Sequence, residues 1–292
     1  MPSAENWEER FRRVIVRKTT EAAGARLPPY RTELEHPAEE SRAIGNPWST
    51  RLFDGPFYMT PPLVRPRPVC SLVFVQSADG NTGAANPGTL GGGDTDKHLI
   101  YEGLSRVAAD AVLAGAETVR GTDLVFSVWH PELVALRTSL GLPRHPVQII
   151  ATVRGVDLDG SLLFNVPNLQ VLLLTVGPAV TRMQEGLAAR PWIAPVVMMT
   201  PADLPGAFEQ LASMGIGVLS CIGGRTLAGN LLDAGLVDDV YLTTAARPGG
   251  QPDTPLHRGD WRGPTVVRKR GTAAEAGVVF EHILPRRTLP TA

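Results

Sequence analysis

Two glycines at the end of an apolar run are the residues best placed to do chemistry. In Val218-Leu219-Ser220-Cys221-Ile222-Gly223-Gly224-Arg225-Thr226-Leu227 a buried strand runs into Gly223-Gly224 and a helix starts at once. Glycines at such a turn let backbone approach a ligand, and the free N–H groups of the helix favour an anion such as a pyrophosphate. A tight strand-helix turn with no ligand has the same pattern, and G-x-G-x-x-G is absent, so an ordinary Rossmann domain is not supported. A second strand-end loop is Ala114-Gly115-Ala116-Glu117-Thr118-Val119-Arg120, and a third is Ala151-Thr152-Val153-Arg154. A hydroxyl and a guanidinium with no acid beside them suit a 2′-phosphate better than a bare ribose diol, which points to NADPH over NADH. Alone, Thr152 is more often just a turn residue.

Three such loops reach one ligand only if parallel strands carry them to one edge. From Pro68 onward short apolar strands do alternate with helices: strands at Val69–Val75, Ala111–Ala114, Pro146–Ala151, Leu169–Val176, Val196–Met199, Gly217–Cys221, Val237–Thr244 and Gly277–Leu284. Helices fall at Leu204–Met214, at Thr226–Ala234 and through Leu99, Leu104 and Val107, with Asp94 or Thr95 able to cap the last. Near-continuous apolar strands between helices predict a mainly parallel sheet covered on both faces, with an antiparallel edge at the C-terminus, where no helix intervenes. Residues 1–62 read separately from residues 63–292. Trp7, Phe11, Val14 and Ile15 mark one face of a helix over Trp7–Ala22, and the Pro-rich Leu27–Pro62 is expected to pack as an extended arm over a neighbouring surface or a second subunit.

Composition removes several classes. Lys plus Arg number 28 against 29 Asp plus Glu in 292 residues, so no basic footprint for nucleic acid exists. No apolar run approaches a membrane span, and the charged N-terminus lacks the core of a secretion signal. Cys70 and Cys221 are the only cysteines, which excludes a disulfide scaffold and a Cys-rich zinc site. The expectation is a soluble cytoplasmic protein.

Ser77-Ala78-Asp79-Gly80, the run Ala109–Arg120, and Gly223–Leu232 followed by Gly235-Leu236-Val237-Asp238-Asp239 stand in order. Together they resemble the reductase domain of the riboflavin-biosynthesis deaminase-reductase, a pyrimidine reductase of dihydrofolate-reductase-like fold. The resemblance covers roughly Pro66 to Gly250, with Gly277–Leu284 as closing strand. It implies a three-layer αβα fold, a homodimer, and hydride transfer from NADPH to a ribosylaminopyrimidine phosphate. It further implies that Val75, Gly115, Thr118, Thr122, Thr152, Arg154, Gly223, Gly224, Arg225, Thr226 and Leu227 hold NADPH. Asp79, Asn81, Asp96, Arg106, Trp129 and Ile222 would then line the substrate pocket, Arg106 meeting the substrate phosphate; without the family Arg106 reads as a solvated helix charge.

The departures fall on the substrate side. Asn81 stands where the family usually has a basic residue, Ile222 where it has a glutamate that hydrogen-bonds the aminopyrimidine, and Trp129 near a common arginine. Each unreplaced loss could cost ~1–3 kcal/mol. Ile-Gly-Gly is also the form that dihydrofolate reductases show here, where a carboxylate on a nearby helix binds the pteridine; Asp94, Asp96 and Glu102 are the candidates. The deaminase motifs, His-x-Glu and Pro-Cys-x-x-Cys, are missing, and neither a metal nor a nucleophile set is seen. Besides the pyrimidine reductase, two readings stay open: a dihydrofolate or pterin reductase, and a non-catalytic nucleotide-binding module.

Overall fold

The computed structural model describes residues 4–62, 66–84, 86–120 and 123–286. Among them lie twelve strands: β1 (Tyr30–Glu35), β2 (Arg42–Ile44), β3 (Phe57–Met59), β4 (Val69–Gln76), β5 (Ala111–Gly115), β6 (Val147–Ala151), β7 (Val171–Val176), β8 (Ile193–Met198), β9 (Val218–Cys221), β10 (Asp239–Thr244), β11 (Thr265–Gly271) and β12 (Val279–Ile283). Ten of the described strands form one sheet in the order β1-β11-β12-β10-β4-β9-β5-β6-β7-β8, while β2 and β3 pair separately. From β10 to β8 every pairing is parallel, and β12, β11 and β1 add antiparallel to the β10 side. The inner parallel strands are buried on both faces, as at β7, where all six residues are buried, whereas the edge strand β8 is partly exposed; helices cover the sheet in a three-layer αβα arrangement. The antiparallel edge expected at the C-terminus is present.

The strand order fixes where a ligand can go. From β4 the chain leaves a slot empty, lays down β5 to β8 moving outward, then returns to fill the slot with β9 before placing β10 on the other side of β4. Open α/β sheets bind ligands at the carboxyl ends of strands flanking such a reversal. Here that is the edge formed by Gln76, Gly115, Cys221 and Thr244.

The N-terminal segment belongs to the same sheet and core. Its helix Ala4–Gly24 buries Trp7, Val14 and Ala22, with Phe11 and Ile15 partly buried beside them. Lys18 at 2.8 Å from Glu102 ties it to the helical stretch 93–107. The Pro-rich stretch contains β1, the helix Pro47–Phe53 capped by Asn46, and β3. It packs on its own chain: β1 pairs with β11, and Phe53 and Phe57 contact Phe280. Lys269, on the inward face of β11 and 0% exposed, makes this docking specific. Its ammonium donates to Thr32 Oγ1, Glu35 Oε2 and the Asp54 carbonyl at 2.8–3.1 Å, so a buried charge finds three acceptors from the arm.

Candidate active site

The glycine pair sits where two loops press together. Gly115 N–H donates to the Gly223 carbonyl at 3.3 Å. A Cβ on Gly224 would lie 3.6 Å from the Gly115 Cα and nitrogen, and one on Gly223 would lie 3.4 Å from Thr118 Oγ1. Gly224 also has φ +90°, a conformation side chains rarely adopt. The helix Arg225–Asp233 follows directly, no side chain caps it, and its first backbone bond is Ala228 N–H to the Gly224 carbonyl. The amides of Arg225, Thr226 and Leu227 precede that bond and have no partner within the helix, which makes this end a cradle for an anion. Arg225 and Thr226 are exposed beside it.

The structure brings Gly115, Thr118, Gly223, Gly224, Arg225, Thr226 and Leu227 to one place. Thr152 lies at the end of the next strand outward, but its hydroxyl donates to the Gly155 carbonyl at 2.9 Å and so shapes its own turn. Arg154 is exposed at that turn, where its carbonyl accepts from Arg182 Nε. Thr122 lies outside the described residues.

On the other flank, the loop after β4 is strapped to the chain after β10. Ser77 Oγ donates to Asp79 Oδ1 at 2.5 Å and Gly249 N–H donates to the same oxygen. The Ser77 bond, ahead of the Gly249 bond, holds the Asp79 carboxyl below its ordinary range. Asn81 spends both ends of its amide on the strap: Nδ2 donates to the Gly249 carbonyl and Oδ1 accepts Thr254 N–H at 3.1 Å. Asn81 is thereby a scaffold residue in a place where a free cation was the family expectation.

The strongest chemical feature is Asp96. The stretch 93–107 opens on Gly93–Thr95, widens into a π-helical turn over Asp96–Leu104 and closes at Ser105–Val107. Such widened turns in helices often accompany functional sites. The widening coincides with Gly103, which leaves helical geometry at φ −128°, ψ −105°; a Cβ there would meet Leu133 Cδ1 at 2.5 Å. Asp96 stands at the start of this turn, 8% exposed, and accepts a 2.5 Å hydrogen bond from Thr243 Oγ1 through Oδ1. Its other oxygen lies beside Gly92, where a Cβ would come within 2.7 Å of Asp96 Oδ2 and 3.0 Å of Val75 Cγ2. A glycine at 92 leaves that carboxylate room. Burial pushes the Asp96 carboxyl up to about 7, the Thr243 bond opposing and the Glu275 charge adding to the rise. At neutral pH the group is therefore divided between acid and carboxylate.

Asp96 and the glycine cradle share the C-terminal edge. Thr243 is on β10 and the glycines follow β9, with only β4 between. Neighbouring strands stand ~4.8 Å apart, so the two features are about 10 Å apart along the edge, the reach of one small ligand.

Arg106 and Trp129 are not brought there. Four residues after Arg106, the Asp110 carboxylate accepts the N–H groups of Gly217 and Val218 at the opening of β9, the opposite end of the sheet. Arg106 is 2% exposed, its guanidinium 4.3 Å over the Tyr101 ring and donating to the Ser127 carbonyl. Trp129 is buried near the start of β6, packed by Arg144 and His145. Ile222 is buried beside the glycine pair and offers only an apolar wall.

Sequence reasoning missed Thr243 and Glu275. Thr243 is one of two threonines that end β10, a signal visible only once its register beside Val75 is known.

The chain matches the RibD C-terminal domain over residues 68–270. Among solved structures it is similar to a pyrimidine reductase-like protein from Corynebacterium diphtheriae, with 22% identity, 76% of this chain and 93% of that one covered, and a TM-score of 0.58. Acinetobacter baumannii RibD is similar over 76% of this chain and 58% of its own, with 19% identity and a TM-score of 0.58, so the chain spans somewhat over half of that protein. The Saccharomyces cerevisiae riboflavin biosynthesis reductase Rib7 shows 16% identity, 77% and 92% coverage and a TM-score of 0.50. No curated protein matches. At these identities the solved structures speak for the fold, whereas the domain match, over more than half of the chain, identifies it as a member of the RibD C-terminal domain family.

Proposed function

We propose that the protein is an NADPH-dependent reductase of an aminopyrimidine-type heterocycle, similar in reaction to the pyrimidine reductase of riboflavin biosynthesis. The observation that carries this reading is Asp96: a buried carboxyl, poised near neutrality, beside an anion cradle on one sheet edge.

The residues suit a dinucleotide. Bare backbone at Gly115, Gly223 and Gly224 admits close approach, the amides of residues 225–227 suit its pyrophosphate, and Thr118, Arg225 and Thr226 stand at hand. Val75 lies between this cradle and Asp96, with Thr152 and Arg154 on the outer turn for the 2′-phosphate. NADPH, when bound, supplies the hydride. Asp96 does the rest of the polar work. Its Oδ1 is fixed by Thr243, which leaves Oδ2 to face the ring. As a carboxylate Oδ2 accepts an N–H of an amino-substituted ring and so fixes it; as an acid it is a proton source for the heteroatom next to the carbon that hydride reaches, the sugar ring oxygen released when a ribosylamine becomes a ribityl chain. A rigid acceptor within a low-dielectric wall also orients the ring, which lowers the barrier by positioning.

A second reading, a dihydrofolate or pterin reductase, is favoured by Asp96 standing on a helix and by Ile222 before the glycines, the arrangement expected of that class. Both ligand classes carry N–H donors that a carboxylate such as Asp96 can accept. Following NADPH absorbance with a ribosylaminopyrimidine phosphate and, separately, with dihydrofolate decides between them. Oxidation of neither, together with no change in NADPH fluorescence up to ~1 mM protein-saturating cofactor, would overturn the proposal.

The homodimer implied by the family resemblance belongs to this proposal and is tested by sedimentation. So does a cytoplasmic setting, which two buried, unbridged cysteines fit. Among the described residues no helix is long and apolar enough to cross a membrane.

A further inference from the structure

Asp96 is flanked by groups from two segments that the family match, residues 68–270, does not include: Tyr30 on β1 and Glu275 between β11 and β12. Glu275 lies directly beneath the first turn of the 93–107 stretch. Its Oε1 accepts Thr95 N–H at 3.1 Å, and a Cβ on Gly93 would come 2.5 Å from its carboxyl carbon, so the glycine at 93 is what admits it. Glu275 is 8% exposed, and its second oxygen is buried without a hydrogen-bond partner. Tyr30 is 1% exposed and its hydroxyl, too, is buried without a partner. The arm holds Tyr30 there through Thr95 Oγ1, which donates to the Pro28 carbonyl, and Thr272 Oγ1, which donates to the Pro29 carbonyl.

Ordinary capping of a helix start does not require this arrangement. An exposed Asp or Ser would cap as well and would leave no oxygen stranded. A stranded carboxylate oxygen is costly to bury and is retained where the neighbouring charge matters.

We propose that Glu275 is a positioning residue for the reaction at Asp96, a carboxylate held behind the site so that Asp96 keeps a proton to deliver, with Tyr30 of the N-terminal arm sealing the pair from water. The inference rests on the proposed reductase function. Thr243 from β10 bonds Asp96 directly, and Glu275 from the β11–β12 turn, Tyr30 from β1 and Tyr101 from its own helix lie close enough to feel its charge. Asp94 faces Glu275. Thr243 stabilises the ionised form, and no cation is among those groups to offset the second carboxylate. Burial raises Glu275 above the ordinary glutamate range despite the bond from Thr95. Two carboxyls in one dry wall share the burden of a single negative charge, so the proton on Asp96 is tighter when Glu275 is ionised.

The test is the titration of Asp96 in the full chain, read by carboxyl 13C NMR and assigned by its loss in Asp96→Asn. Glu275→Gln keeps the Thr95 bond and removes the charge; it should lower the Asp96 midpoint by about one pH unit. Glu275→Asp keeps a charge and should restore the midpoint at least in part. If Glu275→Gln does not fold, Tyr30→Ser, which opens the wall to water, should lower the same midpoint. An Asp96 midpoint unmoved in a folded Glu275→Gln protein overturns the inference, whatever the turnover. Failure of the reductase reading looks different: the midpoint shifts as expected, yet Asp96→Asn leaves substrate-dependent NADPH oxidation unchanged.

Discussion

Replacing Asp96 by asparagine should make the protein more stable and nearly inactive, and the stability gain should depend on pH in a defined way. The folded protein holds the Asp96 carboxyl at about 7 against an ordinary 3.8. A folded-state pKa above the unfolded one means that the folded chain binds the proton more tightly. Wild-type stability is therefore lost as pH rises from about 4 to about 7 and changes no further above that through this group. At ~1.4 kcal/mol per pH unit the loss is about 4 kcal/mol at full ionisation, an upper figure because water penetration relaxes the buried charge. Asparagine has no proton to lose, and its Oδ1 can accept the Thr243 hydroxyl as the carboxylate does. The difference in unfolding free energy between Asp96→Asn and wild type should then be near constant below pH ~3.5 and grow by ~2–4 kcal/mol by pH 8. Every other titrating group is common to both proteins and largely cancels. Urea unfolding at four pH values between 4.5 and 8.5 measures it directly. In parallel, kcat/KM for the reduced heterocycle should fall by ~10²–10⁴, and in the wild type it should decline above pH ~7 as the acid form empties. A stability difference that is flat across the range would refute the argument at its root, since Asp96 would then be an ordinary carboxylate.

Other substitutions separate the site from its scaffold. Gly224→Asp places a side chain at φ +90° and a negative charge in the anion cradle; fluorescence titration should show NADPH affinity lost, while strain lowers stability by only ~1–3 kcal/mol. Arg106→Met removes a buried guanidinium from its Tyr101 ring and Ser127 carbonyl, so thermal melts should show a loss of ~1–2 kcal/mol with KM for the substrate unchanged. A large rise in KM instead would bring Arg106 back as a phosphate contact. Asn81→Ala strands the Thr254 amide and removes one of the two donors to the Gly249 carbonyl, Ser77 Oγ being the other; a loss of ~1–3 kcal/mol should be accompanied by faster amide exchange confined to the 77–83 and 247–254 loops.

What the residues reveal in advance depends on how local the cause is. The parallel strands are mainly apolar runs of four to eight residues, as in Val69–Gln76, and they can be read because burial leaves few polar positions, Ser71 and Gln76 in that strand. The glycine pair is legible for the same reason: the turn geometry at Gly224 is a local demand. The arm was harder. Tyr30–Glu35 alternates weakly, and its pairing with β11 depends on partners more than two hundred residues away, among them Lys269, whose inward ammonium makes β11 look like a surface strand. Asp96 was within reach as a helix carboxylate, but its significance was not, because burial, the Thr243 register and Glu275 all arise from tertiary contacts. Arg106 and Trp129 lie apart from the glycine turn for a topological reason: near the second motif in sequence, they stand toward the amino ends of the strands, whereas the proposed ligand edge is at the carboxyl ends.

Ile222 and Asp96 can be understood as one change. A glutamate before the glycine pair would have to present its carboxylate from the end of β9, alongside the anion cradle, where two negative groups repel unless a cation intervenes. Here the position is apolar and 5% exposed, and the carboxylate comes from the helix across β4 at Asp96. That relocation separates the charge from the phosphate cradle by about two strand spacings. It also transfers the acid into a drier wall, built by β10, the β11–β12 turn and the arm, where its proton is held near neutral pH. On the proposed function the strand order divides the labour: backbone amides past β9 would take the anion, and a side chain behind β10 would take the proton. A chain with glutamate at position 222 and Asp96 kept would hold two carboxyls about two strand spacings apart on one edge, and it should bind the cofactor less tightly as pH rises through the range in which both ionise.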